Sequence, residues 1–106
     1  MELRKYPRFA VQLPVSFSGD HFTGEGMVFN LSKEGCALGS EISVPKGAYV
    51  SLCIHLSDEA LPIEVELAAV RWCTEQKFGV EFIRLKPEAQ EQLHQAANVL
   101  ETGFSH

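Results

Sequence analysis

The chain has 106 residues, 45% of them hydrophobic, with a formal net charge of −5; that length supports one modest core, and the spread of apolar residues argues against disorder. The acidic balance excludes a general nucleic-acid binder, which needs a broad basic surface, so no DNA partner is expected. Apolar runs fall far short of a membrane span and no signal sequence opens the chain, so a cytoplasmic protein without membrane insertion is expected.

Basic charge is concentrated at the start: Arg4, Lys5 and Arg8 supply three of the nine basic residues. Pro7 fixes its own φ and keeps Tyr6 out of the helical region, so residues 1–8 read as an extended or turned arm. Two planar guanidinium forks on such an arm suit phosphate and can stack on a base. A solvated basic terminus that frays has the same composition.

Residues Phe9 to Ser18 then alternate, with Phe9, Val11, Leu13, Val15 and Phe17 on one face, the pattern of a half-buried strand. Pro14 cannot donate to a ladder and places this strand at an edge or a bulge. A second strand is expected from Phe22 to Ser32, with Met27, Phe29 and Leu31 inward and with Gly24 and Gly26 allowing a bend. A short third strand follows Gly35 as far as about Ile42. The fourth runs from Ala48 to Leu56, with Val50, Leu52, Ile54 and Leu56 in one phase. The fifth, Leu61 to Thr74, puts Ile63, Val65 and Leu67 inward and then switches to Val70 and Trp72, which predicts a bulge around Ala68 and Ala69. The sixth carries Phe78, Val80 and Phe82 in phase, and Gly79 permits close approach on its other face. Pro87 opens a helix over 87–102, with Glu88 and Glu91 in its first turns and an apolar stripe of Ala89, Leu93, Ala96, Ala97 and Leu100.

Six short strands without a βαβ rhythm, followed by one helix, predict a mainly β fold: a six-stranded antiparallel barrel that closes its own edges. The expected organisation is one domain over 1–106, with an arm at 1–8, a barrel at 9–85 and the helix behind it. Cys36, Cys53 and Cys73 are widely spaced and the four histidines form no ligand set, so free thiols and no metal are expected. No nucleophile elbow, paired catalytic carboxylates or phosphate loop is present, so no enzyme is expected.

Between the second and third strands lies Asn30-Leu31-Ser32-Lys33-Glu34-Gly35. With Leu31 inward, Asn30 and Ser32 would stand together on the outer face, each offering donors and acceptors. Gly35 would supply positive φ or an absence of bulk. The same residues also make an ordinary Ser/Asn/Gly turn.

Arg4-Lys5-Tyr6-Pro7-Arg8 resembles the RxxxR motif of PilZ domains, and Asn30 to Gly35 resembles their [DN]xSxxG motif. The order, separation and strand pattern agree, including Val70-Arg71-Trp72 followed by Phe78-Gly79-Val80-Glu81-Phe82, over essentially the whole chain. The resemblance implies a bacterial barrel that binds the second messenger cyclic di-GMP and signals to a downstream partner protein, in motility or biofilm regulation. It implies that Arg4 and Arg8 hold phosphates and guanine, that Asn30 and Ser32 contact the second guanine, and that Gly35 leaves room for it. Lys5, Trp72 and Gly79 are candidates for further contacts. The arm is expected to fold over one ligand, no cofactor is expected, and the protein should be a monomer or weak dimer. The alternative is a barrel of the same fold used as a protein-interaction module that binds no nucleotide.

Overall fold

The computed structural model describes residues 9–103, with side chains described for 9–98. Its elements are β1 (Phe9–Ser18), β2 (Thr23–Leu31), β3 (Gly35–Ser40), β4 (Tyr49–Ile54), β5 (Ile63–Cys73), β6 (Lys77–Leu85) and α1 (Pro87–Gly103). The strands form a closed antiparallel barrel in the order β1-β2-β3-β6-β5-β4, and β4 returns to β1 through Val15↔Ile54 and Phe17↔Leu52. Closure leaves no long open edge to template pairing with another chain.

The alternation expected for β1 is observed: its odd-numbered residues face the core, with Val15 and Phe17 buried. Pro14 lies one position beyond the β1–β4 register. Its carbonyl accepts from the His55 N–H at 2.9 Å, so its missing donor falls at the end of that ladder. Val50, Leu52 and Ile54 of β4, with Phe78 and Val80 of β6, fill the barrel as their phase predicts. Phe17 and Phe78 meet edge to face at 5.3 Å between centroids in the middle of this core.

The phase of β2 is the reverse of the expected one. Met27 and Phe29 are 45% and 37% exposed, and Val28 between them is fully buried. The interior positions preceding Val28 are Gly24 and Gly26. A Cβ at Gly24 would lie 2.7 Å from the Phe17 ring, and one at Gly26 would lie 2.0 Å from the Gly39 carbonyl oxygen. The aromatic core and the neighbouring strand therefore occupy the inward space that these glycines leave empty. A bulge between Val28 and Asn30 then resets the phase, so Leu31 is buried after all.

The predicted irregularity of β5 is present, with register shifts from Val65 to Ala68 and again between Val70 and Trp72. The second shift turns Trp72 outward, 42% exposed, where an inward side chain was expected. Helix α1 begins at Pro87 and buries Ala89 and Leu93, with Ala96 and Ala97 half-buried; the Leu100 side chain lies outside the described residues. Gln92 fastens the helix to the β4–β5 connection, its Nε2 donating to the carbonyls of Leu61 (3.0 Å) and Pro62 (3.3 Å).

Candidate functional site

The Asn30–Gly35 segment forms the β2–β3 hairpin. Leu31 pairs with Cys36, and the Ser32 N–H donates to the Gly35 carbonyl at 2.9 Å, leaving Lys33 and Glu34 at the tip. The Ser32 hydroxyl accepts from the Glu34 N–H and donates to the Gly35 carbonyl, each at 3.3 Å. Ser32 is 3% exposed and lines a small cleft with Phe9, Leu31, Leu93 and Ala97. It does not stand on the outer face beside Asn30, because strand alternation ends at Leu31 and the hydroxyl turns into the hairpin.

Gly35 has no positive φ; Gly47 is the one described residue that does. A Cβ on Gly35 would sit 2.2 Å from the Val80 carbonyl oxygen. The room expected at Gly35 is thus taken by β6, which holds the hairpin through the Phe82 N–H donating to the Glu34 carbonyl at 2.8 Å.

Asn30 faces outward as expected. Ala10 on β1 and Ala37 on β3 lie opposite it, Ala37 lies opposite Gly79 on β6, and Gly79 lies opposite Trp72 on β5. Directly opposed residues of antiparallel strands share a face, so these five form one outer row. Small residues floor the row between Asn30 at one side and the indole at the other. Trp72 lies directly on Gly79, where an added Cβ would come 2.1 Å from the indole Nε1. The side chain that Gly79 admits therefore belongs to this chain. Asn30 Oδ1 is buried without a hydrogen-bond partner among the described residues. An unsatisfied buried acceptor costs about 1–3 kcal/mol, so this atom is poised for a donor.

Beside the row, Glu34, Arg71, Trp72, Gly79, Val80 and Glu81 line a pocket of about 210 Å³. Arg71 Nε donates to Glu81 Oε1 at 2.7 Å, and Nη2 contacts the same oxygen. Strict alternation from Ile63 would turn Arg71 inward and the phase switch to Val70 turns it outward, but neither says which residue of β6 lies beside it, so sequence reasoning missed this pair. Opposite charges on the two final strands were the available signal. A larger concavity of about 740 Å³ is lined by serines and by Glu25, Glu64, Glu66 and Lys86. Three carboxylates against one ammonium disfavour a phosphodiester, which makes it the poorer candidate for an anionic ligand.

Arg4, Lys5 and Arg8 lie outside the described residues. The described chain starts at Phe9, opposite Leu31 in the hairpin, and Arg8 is its covalent neighbour. Cys36 is buried, Cys53 half-buried and Cys73 exposed, and no disulfide joins them. No described helix is long and apolar enough to cross a membrane.

The sequence matches the PilZ domain family over residues 2–98. This chain belongs to the PilZ domain family. No match is found among curated proteins. Among solved structures, the barrel is similar to the Bacillus subtilis inhibitor of motility MotI/DgrA, with TM-score 0.82 and 22% identity, over 100% of this chain and 55% of that one. It is also similar to the PilZ domain of Escherichia coli YcgR solved with c-di-GMP, with TM-score 0.72 and 14% identity, over 96% and 94% of the two chains. The PilZ domain of CeSA from a cellulose-synthesising bacterium has TM-score 0.69 and 16% identity, over 90% and 98%. The chain spans about half the length of MotI/DgrA. At these identities the likeness to solved structures is one of fold, and the sequence match carries the assignment to PilZ.

Proposed function

We propose that this PilZ domain is a cyclic di-GMP receptor and that ligand binding is signalled to a partner protein. The observation that carries the reading is the outward row of Asn30, Ala37, Gly79 and Trp72, with an orphaned acceptor on Asn30. It adjoins the hairpin at which β1 begins, directly after Arg4 and Arg8 in the sequence. The YcgR PilZ domain, solved with c-di-GMP, has the same fold and supports the choice of ligand.

In this reading Arg4 and Arg8, with help from Lys5, hold the phosphodiesters and a guanine. A guanine N–H donates to Asn30, and Trp72 offers a stacking face above Gly79. Ser32 and Gly35 act on the hairpin: the hydroxyl fixes its turn, and the missing Cβ lets it lie against β6. Magnitudes require both halves of the site. Micromolar affinity needs about 8 kcal/mol, a charge-assisted hydrogen bond supplies roughly 1.5–3, and base stacking adds roughly 1–3 per base.

Calorimetric titration with cyclic di-GMP tests the reading. The unmutated protein is expected to bind, and Arg8→Ala to weaken binding by at least about tenfold, the loss of one charge-assisted contact. Absence of heat from the unmutated protein would assign the barrel to protein interaction without nucleotide.

Asn30→Ala separates binding from stability. It removes a buried unsatisfied acceptor, so the melting temperature is expected to hold or rise while affinity falls about tenfold. Ser32→Ala breaks both hairpin bonds, and its loss of affinity should come with about 1 kcal/mol of lost stability, read by urea unfolding. Equal stability losses in the two variants would contradict the separate roles given to these residues.

A further inference from the structure

We propose that the Arg71–Glu81 pair reads the Watson–Crick edge of one guanine in the pocket beside Trp72. The inference rests on the cyclic di-GMP reading and adds the group that selects the base. An exposed ion pair contributes little to stability, and the two side chains are 59% and 50% exposed, so holding the fold together does not account for it. Both guanidinium contacts fall on Glu81 Oε1. Glu81 Oε2 and Arg71 Nη1 have no hydrogen bond or ion pair among the described residues, and the pair lines the pocket.

A guanidinium donor beside a carboxylate acceptor matches one sequence of groups on a base. Guanine presents O6 as an acceptor, followed by N1–H and N2–H as donors, so Arg71 can donate to O6 while Glu81 accepts from the other two. Adenine presents the reverse, an amino donor at position 6 and an acceptor at N1, and would set like against like. The Trp72 indole, held flat on Gly79, walls the pocket and offers a face for stacking. Glu34 lines the same space, so two carboxylates face one guanidinium there. That negative balance repels phosphate and leaves a neutral base as the better-suited occupant. The phosphates then fall to Arg4 and Arg8.

The test is titration of three proteins, the unmutated domain, Glu81→Gln and Arg71→Met, with cyclic di-GMP, its inosine analogue lacking both 2-amino groups, and cyclic di-AMP. The unmutated protein is expected to prefer cyclic di-GMP over the inosine analogue by about tenfold, the effect of one hydrogen bond to a charged acceptor. In Glu81→Gln that ratio should shrink to about threefold or less, as the acceptor loses its charge. Arg71→Met should weaken both ligands together and leave their ratio unchanged, because O6 is common to both. Discrimination against cyclic di-AMP should fall in both variants, with melting temperatures within a degree or two, as expected for exposed positions. If cyclic di-GMP binds but Glu81→Gln keeps the unmutated ratio, the pair does not read the base and the receptor reading stands alone. If the unmutated protein binds none of the three ligands, both readings fall.

Discussion

Gly35→Ala is expected to destabilise the barrel by about 3 kcal/mol, the upper part of the range for overpacking a tight site. The added Cβ would come 2.2 Å from the Val80 carbonyl oxygen, with the Val80 carbonyl carbon 3.3 Å and Glu81 Cα 3.4 Å away. All three are backbone atoms, so no side chain can rotate aside and β3 or β6 must shift. The shift would strain Gly35↔Glu81 and Cys36↔Val80, as well as the bond from the Phe82 N–H to the Glu34 carbonyl. Stability is typically 5–15 kcal/mol for such a domain, so a loss of this size lowers the melting temperature by many degrees. Urea unfolding monitored by circular dichroism checks it. A loss under about 1 kcal/mol would show that the β3–β6 contact yields more easily than its geometry implies. Because β6 also carries Gly79 and Glu81, the variant should bind less cyclic di-GMP than its folded fraction predicts.

Phe78→Ala should be the most damaging core truncation, at about 3–5 kcal/mol for a buried aromatic residue. Phe78 is the largest fully buried side chain among the described residues, and its ring meets Phe17 edge to face. Removing it leaves a cavity against Phe17 and Leu38 that a closed barrel cannot collapse without changing strand register. Phe78→Leu keeps most of the volume and should retain more than half of the lost stability. If the two variants unfold at the same urea concentration, the specific ring packing is what matters, rather than volume.

These two positions also show where sequence reasoning succeeded and where it stopped. Phe78 was legible because β6 is regular there: Phe78, Val80 and Phe82 keep period two, and the same regularity made β1 and β4 readable. The β2 phase was misread because Gly24 and Gly26 carry no hydrophobicity to mark their inward direction. Glu25, two residues before Met27, was the overlooked sign that this phase faces water. The inward reading of Trp72 failed for a related cause. Local pattern carries no information about a register shift, and the shift at Val70 to Trp72 exists because β5 must match β6 while bending around the barrel.

By itself the sequence determined the class of fold, the family, the order of elements and the two motifs, because alternation, turn residues and a helix start are local properties of the chain. Only the tertiary structure decided how those motifs are used. It turned Ser32 into the hairpin, filled the space at Gly35 with β6, laid Trp72 on Gly79, and set Arg71 against Glu81 from the neighbouring strand. Each of these outcomes depends on which residue of a distant strand lies opposite, and that register follows from closing six strands around one core.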